Sequence, residues 1–224
     1  GAKPDEAILE NCKADMLKSR ADAKLNQSRC FGALQRYLFY GGDFIRRTTL
    51  TDPALQALTS EQLLAKIGGL MGKQHEVLYY GPQKEAEVKS ALAEHHKVAA
   101  DLQPLEKKFS TLLPTDANKV VLAQYDAKQL YYLQFSNRGE KFDVAADPEI
   151  TLYNEYFGGG MNTIVFQEMR EARGLAYTAW ATLATPSNAN GDYSYYAFIA
   201  TQNDKMQKAV EAFDDIINNM PESE

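Results

Sequence analysis

Cysteine, histidine and tryptophan are the scarce residues of this 224-residue chain, with 2, 3 and 1 copies. The two cysteines, Cys12 and Cys30, do not require a disulfide, and we expect two free, buried thiols. The histidines, His75, His95 and His96, lack the spacing of a zinc site, which needs three or four converging ligands. We therefore expect no metal in this chain and interpret the adjacent histidine pair as part of a solvated helix face.

Long apolar runs and an excess of basic residues are also missing. No stretch approaches the roughly 20 apolar residues of a membrane span, and the N-terminus has no apolar signal core. The chain has 24 Lys and Arg residues against 30 Asp and Glu, which gives a formal charge of −6. Phosphate binding needs a basic face, so this balance predicts no nucleic-acid partner.

Motifs for nucleophilic catalysis and phosphate binding are absent as well. There is no G-x-S-x-G sequence, and neither cysteine has a histidine near it in sequence. Three consecutive glycines, Gly158, Gly159 and Gly160, precede a helical pattern but lack the lysine of a phosphate loop. We interpret them as glycines that let a helix approach a sheet closely, with a phosphate cradle as the less favoured alternative. No catalytic residue is predicted in this chain.

An apolar fraction of 45% is enough for a core, and the first half of the chain is patterned mainly as helix. Residues 5–40 have helical spacing and end at a Tyr-Gly-Gly stop. Thr59, with a glutamine three residues later, predicts a capping box. The sequence HEVLYYG at 75–81 is typical of a short strand, and a polar-faced helix follows it. Residues 101–118 contain two prolines and no sustained period, which indicates a linker.

Beyond residue 118 the pattern changes to alternating strands and short helices. The predicted elements are strands 119–126 and 129–137, helices from Asp147 and from Met161 to Ala172, strands 175–185 and 192–201, and a helix from Asn203 or Asp204 to Met220. The inner stripe of the second helix is Met161, Ile164, Val165 and Met169. This order predicts an α+β fold with a largely antiparallel sheet and helices packed on one face.

The first strand of the predicted hairpin has no charge on either face. A sheet with one face in water should carry polar residues on alternate positions. Its second face instead holds Ala176, Thr178, Trp180, Thr182 and Ala184. We therefore expect this face to be covered or to line an enclosed cavity.

Arg170 and Tyr177 lie on either side of the corner between the helix and this strand. Gly174 is the expected left-handed cap of the helix, and it would fold the strand back so that the two side-chain tips converge. A guanidinium and a phenol aimed at one point can bind a peptide carbonyl oxygen or a developing oxyanion. The alternative is structural, with Arg170 complementing the helix dipole and Tyr177 making ordinary cross-strand contacts.

The stretch YFGGGMNTIVFQEMREARGLAYTAWA, residues 156–181, resembles the Gly-rich helix and R-E-x-R-G-L-A-Y segment of insulinase/pitrilysin-like zinc metallopeptidases. The similarity is to the carboxyl-side, non-catalytic repeat of bacterial and processing-peptidase members. It implies paired repeats that enclose a chamber, with zinc held by H-x-x-E-H and a downstream Glu in the catalytic repeat. This chain has no H-x-x-E-H, so zinc is expected only in the catalytic domain of a parent protein.

The same resemblance implies the roles of the arginine and tyrosine pair. Arg170 would bind a substrate carbonyl and Tyr177 would stabilise the tetrahedral oxygen, across the chamber from the zinc. The implied partners are a peptide substrate and a zinc-bearing catalytic domain or subunit. A structural or assembly subunit of the same fold, without a proteolytic role, is the alternative, and an unrelated peptide-binding module is a third. For a bacterial parent, a periplasmic or cell-envelope location fits.

The resemblance also implies that the chain joins parts of two successive repeats. Residues 1–100 would be the C-terminal part of one repeat, 101–118 the linker, and 119–224 the N-terminal part of the next. Both ends look cut, so we expect a piece of a longer protein. Incomplete repeats expose sheet edges, which predicts that two copies pair into a homodimer.

Overall fold

The structure is a computed structural model that describes residues 3–105 and 111–220. The chain divides into two compact units. The first unit comprises residues 1–23 and 47–109, and the second comprises residues 24–46 and 110–224.

The predicted linker has no helix or strand in its described parts. Residues 106–110 of that linker lie outside the described residues. The assignment of the segments on either side to two successive repeats stays a prediction.

The helices that lie wholly or mainly in the first unit are α1 (Glu6–Lys24), α3 (Asp52–Gln56), α4 (Ser60–Leu70) and α5 (Glu85–His95). The predicted capping box is confirmed at α4: the Thr59 side chain accepts from the Gln62 amide, and the Gln62 side chain accepts from the Thr59 amide. Helix α3 begins in a related way, since the Thr51 hydroxyl accepts from the Ala54 amide. Each cap satisfies an amide that has no partner inside the helix.

Polar contacts join the elements of the first unit. The Ser60 hydroxyl and amide both donate to Glu6 Oε1, at 2.6 and 2.9 Å. These two hydrogen bonds hold the pKa of the Glu6 carboxyl below its ordinary value. The buried Lys13 ammonium donates to Glu10 at 2.7 Å and to the carbonyl of Gln56 at 3.0 Å. Charge-assisted hydrogen bonds thus join α1 to the end of α3 and to the start of α4.

Two predicted strands are wrong. Residues 75–81 and residues 119–126 lie outside any helix or strand. Their apolar side chains are exposed, with Leu78 at 92% and Leu122 at 88%. An alternating pattern forms a strand only where a neighbouring strand accepts its hydrogen bonds, and the described residues provide none here.

The second unit contains most of α2 (Gln27–Thr48) and all elements after the linker. These are β1 (Gln129–Ser136), α6 (Asp147–Phe157), α7 (Ile164–Phe166), a π-helix (Gln167–Ala172), β2 (Thr178–Ala184), β3 (Ser194–Gln202), a 3-10 turn (Asn203–Lys205) and α8 (Met206–Asn218). The predicted end of a helix at the Tyr-Gly-Gly stop corresponds to a kink in α2, where Gly41 has φ +76°. The order confirms the α+β prediction.

The three strands form one antiparallel sheet in the order β1-β3-β2. Leu133 lies opposite Phe198, which in turn lies opposite Trp180. This register fixes which residues share each face of the sheet, because side chains alternate along a strand.

One face of the sheet forms the core of the second unit. Ala179, Ala181 and Ile199 pack there against helices α6, α7 and α8 and the π-helix. The fully buried side chains include Phe157, Val165, Met169 and Phe213. The predicted inner stripe is therefore confirmed for Ile164, Val165 and Met169. It is wrong for Met161, which is 70% exposed and precedes the helix.

The opposite face of the sheet is covered by aromatic residues of α2. The Phe31 ring lies 5.5 Å from that of Tyr131, and the Phe39 ring lies 4.6 Å from that of Phe135. On the same face, Trp180 stacks on Phe198 at 5.7 Å. The contacts of α2 lie over β1 and β3. On β2 the expected covered face is half-buried at Thr178, Trp180 and Thr182, and its assignment is wrong for Ala176, which packs in the core.

Cys12 and Cys30 are not joined by a disulfide, as predicted. Their predicted burial is wrong: Cys12 is exposed and Cys30 is half-buried. Helix α1, which carries Cys12, buries Leu9 and Lys13 instead.

Candidate functional site

The helix that carries Arg170 begins at Ile164 and widens after one turn. Residues Gln167–Ala172 form a π-helix, in which the Arg173 amide donates to the Glu168 carbonyl at 3.1 Å. The helix ends where the amides of Leu175 and Ala176 both donate to the Met169 carbonyl. Short π-helical segments are rare and occur frequently at functional sites.

Gly174 makes the corner between this helix and β2. Its φ of +58° is in the left-handed region, as predicted. The chain then returns toward the helix end, and the Tyr177 amide donates to the Ala200 carbonyl at 2.9 Å. Thr178, the first residue of β2, lies opposite Ala200 in the register, so Tyr177 and Thr178 both meet one residue of β3. This is the arrangement of a β-bulge, which changes the direction of a side chain at a strand end.

Arg170 and Tyr177 lie together at this corner. The guanidinium carbon of Arg170 is 5.6 Å from the centroid of the Tyr177 ring and 5.0 Å from that of Phe166. Such stacking is a cation–π contact and leaves the N–H groups at the edge of the guanidinium free to donate. The structure therefore brings together the two residues that the sequence singled out.

Both side chains of this pair remain accessible to solvent. Tyr177 is 68% exposed and the Arg170 side chain 43%. The ion pair of Arg170 with Glu171 spans 3.5 Å and joins adjacent residues on an exposed surface. Contacts of that kind contribute little to stability. The arrangement can present one cation and one phenol to a ligand.

Arg173, three residues later, is held quite differently. Its Nε donates to Glu168 at 3.1 Å, and its Nη2 donates to Asp215 on α8 at 3.0 Å. The bond to Asp215 raises the pKa of the Arg173 guanidinium. Hydrogen bonds from Asn219 and Arg173 hold the pKa of Asp215 below its ordinary value. Arg173 thus fixes the end of the π-helix to α8.

The sequence reasoning did not single out Arg173 as a positioning residue. Its partner Glu168 lies five residues earlier, and the Arg173 amide also donates to the Glu168 carbonyl, which is the backbone bond of a π-helical turn. In a regular α-helix, neighbours on one face are three or four residues apart. No spacing rule for α-helices could therefore have found this contact.

The glycine run places α6 against the edge of β2. The Ala181 amide donates to the Gly158 carbonyl at 3.1 Å. A Cβ on Gly158 would lie 2.7 Å from the Ala181 nitrogen and also against its carbonyl oxygen. The prediction of close approach between helix and sheet is confirmed at this position.

The other two glycines of the run differ from Gly158. A Cβ on Gly159 would meet the Asn154 carbonyl oxygen at 2.8 Å, whereas one on Gly160 would meet nothing within 4 Å. None of the three has a positive φ. The left-handed angles that the run could have adopted are therefore not used.

A cleft of about 250 Å³ opens beside Tyr177. Its walls come from the corner after the π-helix, the start of β1, the end of β3 and the 3-10 turn. The lining residues are Gln129, Gly174, Leu175, Ala176, Tyr177, Thr201, Gln202 and Lys205.

The histidines lie in the first unit, away from any larger group of ligands. The Nε2 atoms of His75 and His96 are 2.7 Å apart, and His75 Nδ1 lies 2.7 Å from the Lys73 carbonyl oxygen. Residues 3–105 and 111–220 contain no group of three or more His, Cys, Asp or Glu that could hold a metal ion. Among the described helices, none has the length and apolar content of a membrane span.

Comparisons with known proteins agree with this architecture. Residues 73–223 match the family described as peptidase M16 inactive domain. No curated protein matches the sequence.

A solved structure shares the fold. The crystal structure of a peptidase M16 inactive domain from Pseudomonas fluorescens is similar, with a TM-score of 0.63 and 16% sequence identity. The match covers 96% of this chain and 53% of that one, so the chain spans about half the length of that structure. The prediction of a non-catalytic repeat of the insulinase-like family is confirmed, and the chain belongs to the peptidase M16 inactive domain family.

Proposed function

We propose that this chain is the non-catalytic, substrate-chamber part of an insulinase-like zinc metallopeptidase, in which Arg170 and Tyr177 hold the peptide backbone. The proteolysis itself belongs to a zinc-bearing catalytic domain outside this chain. The observation that carries the proposal is the contact of the Arg170 guanidinium with the Tyr177 ring, at 5.6 Å, on an exposed corner. Neither residue contributes to the buried core.

The contrast between the two arginines supports a binding role for Arg170. Arg173 satisfies two carboxylates and fixes the fold locally. Arg170 has one long ion pair with its neighbour, and its planar group is oriented by the Phe166 and Tyr177 rings. A guanidinium oriented in advance loses less entropy when it binds a carbonyl oxygen.

The chemistry assigned to the pair requires no group beyond the two side chains. The Arg170 N–H groups donate to a substrate carbonyl, which fixes the position of the peptide backbone. The Tyr177 hydroxyl donates to the oxygen that becomes negatively charged when that peptide bond is attacked. The ligands for zinc belong to the catalytic domain, because the described residues of this chain offer no group of three.

The test combines this chain with the catalytic domain of its parent protein and measures peptide turnover. Arg170→Ala and Tyr177→Phe should each reduce kcat/KM by roughly tenfold or more, in line with loss of one donor to an oxyanion. Tyr177→Phe is the sharper variant, because it removes the hydroxyl and keeps the ring under Arg170.

Two control variants match these changes elsewhere in the second unit. Arg36 stacks on the Phe44 ring at 5.5 Å, so Arg36→Ala removes a comparable cation–π contact. Tyr156, at 43% exposed, gives the control Tyr156→Phe. Both controls should keep full turnover. Unchanged turnover in the Arg170 and Tyr177 variants would refute substrate holding and leave the assembly role as the function of the fold.

A second copy of the chain is a further proposed partner. Strands β1 and β2 are the edges of the sheet, and the edge of β2 is partly occupied by Gly158 and by the Asn154 side chain. Pairing through β1 would form a homodimer. Sedimentation velocity over a range of concentrations would reveal it, and a constant monomer would exclude it.

A further inference from the structure

The cleft beside Tyr177 contains a cation, Lys205, that has no carboxylate partner within residues 3–105 and 111–220. The Lys205 ammonium donates to the Gly174 carbonyl at 3.2 Å, and Lys205 is half-buried. Among the described residues it forms no ion pair, and none of the eight residues that line the cleft is acidic. A partly desolvated ammonium bonded to a neutral carbonyl retains most of its capacity to bind an anion.

The other polar groups of the cleft are donors that suit a carboxylate. Gln129 and Gln202 lie opposite each other in the sheet, and both line the cleft. Their side-chain amides can donate as well as accept. The Thr201 hydroxyl is already committed, since it donates to the Leu175 carbonyl at 2.5 Å. Lys205 and the two glutamines are therefore the groups available to a ligand beside Tyr177.

We propose that this cleft is a specificity subsite that binds an acidic side chain of the peptide held by Arg170 and Tyr177. The inference rests on the proposed function, because Tyr177 forms both the substrate-holding pair and one wall of the cleft. The substrate class is therefore peptides with Asp or Glu close to the carbonyl that Arg170 binds. The carboxylate would accept from the Lys205 ammonium and from the glutamine amides.

The overall charge of the chain opposes the binding of acidic peptides, so a preference for them would indicate a local cation. With a formal charge of −6, the long-range field of the protein repels acidic peptides. At physiological salt that field is screened beyond roughly 8 Å, whereas a contact within the cleft is not. A preference for an acidic peptide must then come from a local cation.

The test is a titration of this chain with blocked alanine-based peptides that differ at one scanned position, which is Glu, Gln or Lys. The Glu peptide should bind about fivefold to tenfold more tightly than the Gln peptide, as expected for one charge-assisted hydrogen bond. The Lys peptide should bind most weakly. Amide chemical shifts of Gly174, Tyr177 and Lys205 should change on binding.

Charge reversal supplies the decisive comparison. Lys205→Glu should invert the order, so that the Lys peptide binds best, and Lys205→Met should make the three peptides nearly equal. Lys208→Glu is the matched control, since Lys208 is exposed on α8 and does not line the cleft. It should keep the original order.

The outcomes separate this inference from the proposed function. Equal binding of the three peptides to the native chain and to Lys205→Glu would overturn the subsite alone, provided that Arg170→Ala still weakens all three. If Arg170→Ala has no effect on binding, the proposed function fails while a preference that depends on Lys205 still identifies the cleft as a carboxylate site. Absence of binding by any peptide would overturn both.

Discussion

The first unit joins its helices through charges, whereas the second unit joins its elements through buried hydrocarbon. In the first unit, Glu6 accepts from Ser60, and buried Lys13 binds Glu10 and the Gln56 carbonyl. Its buried apolar residues are Leu9 and Leu55 in the part of the chain that the structure describes. In the second unit, a sheet buries Ile199 and its neighbours against several helices.

The two units differ in how many apolar side chains their secondary structure can bury. The second unit has a sheet that packs against helices, and β2 and β3 bury Ala179, Ala181 and Ile199 there. The first unit has helices and no strand among the described residues, and Leu78 and Tyr80 are almost fully exposed. Burial of a large apolar side chain stabilises by about 1.5–3 kcal/mol, so most of the hydrophobic stabilisation belongs to the second unit.

The largest expected effect is loss of a core aromatic in the second unit. Phe213 is 1% exposed, and Phe213→Ala should reduce the free energy of unfolding of this unit by about 3–5 kcal/mol. The counterpart in the first unit is Leu55→Ala, for which about 2 kcal/mol is expected because Leu55 is buried outside the apolar cluster of the second unit. Denaturant unfolding followed by NMR would measure both. An equal or larger loss for Leu55→Ala would contradict the comparison.

A smaller effect is expected where the backbone of α6 meets β2. Gly158→Ala places a methyl group against the backbone of Ala181 and should cost about 1–3 kcal/mol by overpacking. Gly160→Ala is the matched control, since nothing lies within 4 Å of its Cβ, and it should leave stability unchanged or slightly raised. Thermal unfolding by circular dichroism measures both variants. If the two variants have equal Tm values, the close approach does not contribute to stability.

The smallest effect concerns the polar contacts of the first unit and depends on pH. The Ser60 hydrogen bonds lower the pKa of Glu6 in the folded state, so their stabilisation is present above the pKa of the unfolded chain. It is lost as the pH falls through the lower, folded pKa. Glu6→Gln should therefore destabilise the first unit slightly at neutral pH and flatten its stability below about pH 4.

The measurement for this prediction must be local, because Asp215 in the second unit has a lowered pKa of the same sign. NMR signals of α1 and α4, followed in denaturant at several pH values, report on the first unit. Glu61→Gln changes a neighbouring acid in the first turn of α4 and serves as the control. A Glu6→Gln variant with the same pH dependence as the native chain would refute the contribution.

Local chemistry in the sequence was enough to predict several features of the fold. Thr59 and Gln62 determine a helix start through contacts within four residues, and Gly174 has the left-handed angle that a helix cap requires. The helical spacing of Ile164, Val165 and Met169 correctly predicted a buried face. Each of these signals depends on neighbours in sequence or on the period of one element.

The features that sequence reasoning missed depend on the rest of the chain. The segments at 75–81 and 119–126 alternate like strands, but no partner strand is present among the described residues to complete them. Met161 fits the helical stripe, yet the helix begins only at Ile164. The preceding residue, Thr163, donates its hydroxyl to the Gly160 carbonyl, so Met161 lies in the turn before the helix. At the candidate site the two paired residues were predictable, whereas the lysine of the neighbouring cleft comes from a different element.

The π-helix at Gln167–Ala172 has a consequence for how such sites change in evolution. A π-helical turn corresponds to a single surplus residue within an α-helix. Deletion of one residue between Phe166 and Arg170 would restore the ordinary winding and change their separation from four residues to three, which shifts the guanidinium relative to the Phe166 ring. Relatives could then retain both the arginine and the tyrosine in sequence and still lose their stacking. In an alignment of related sequences, such divergence would show as a gap of one residue and not as a substitution.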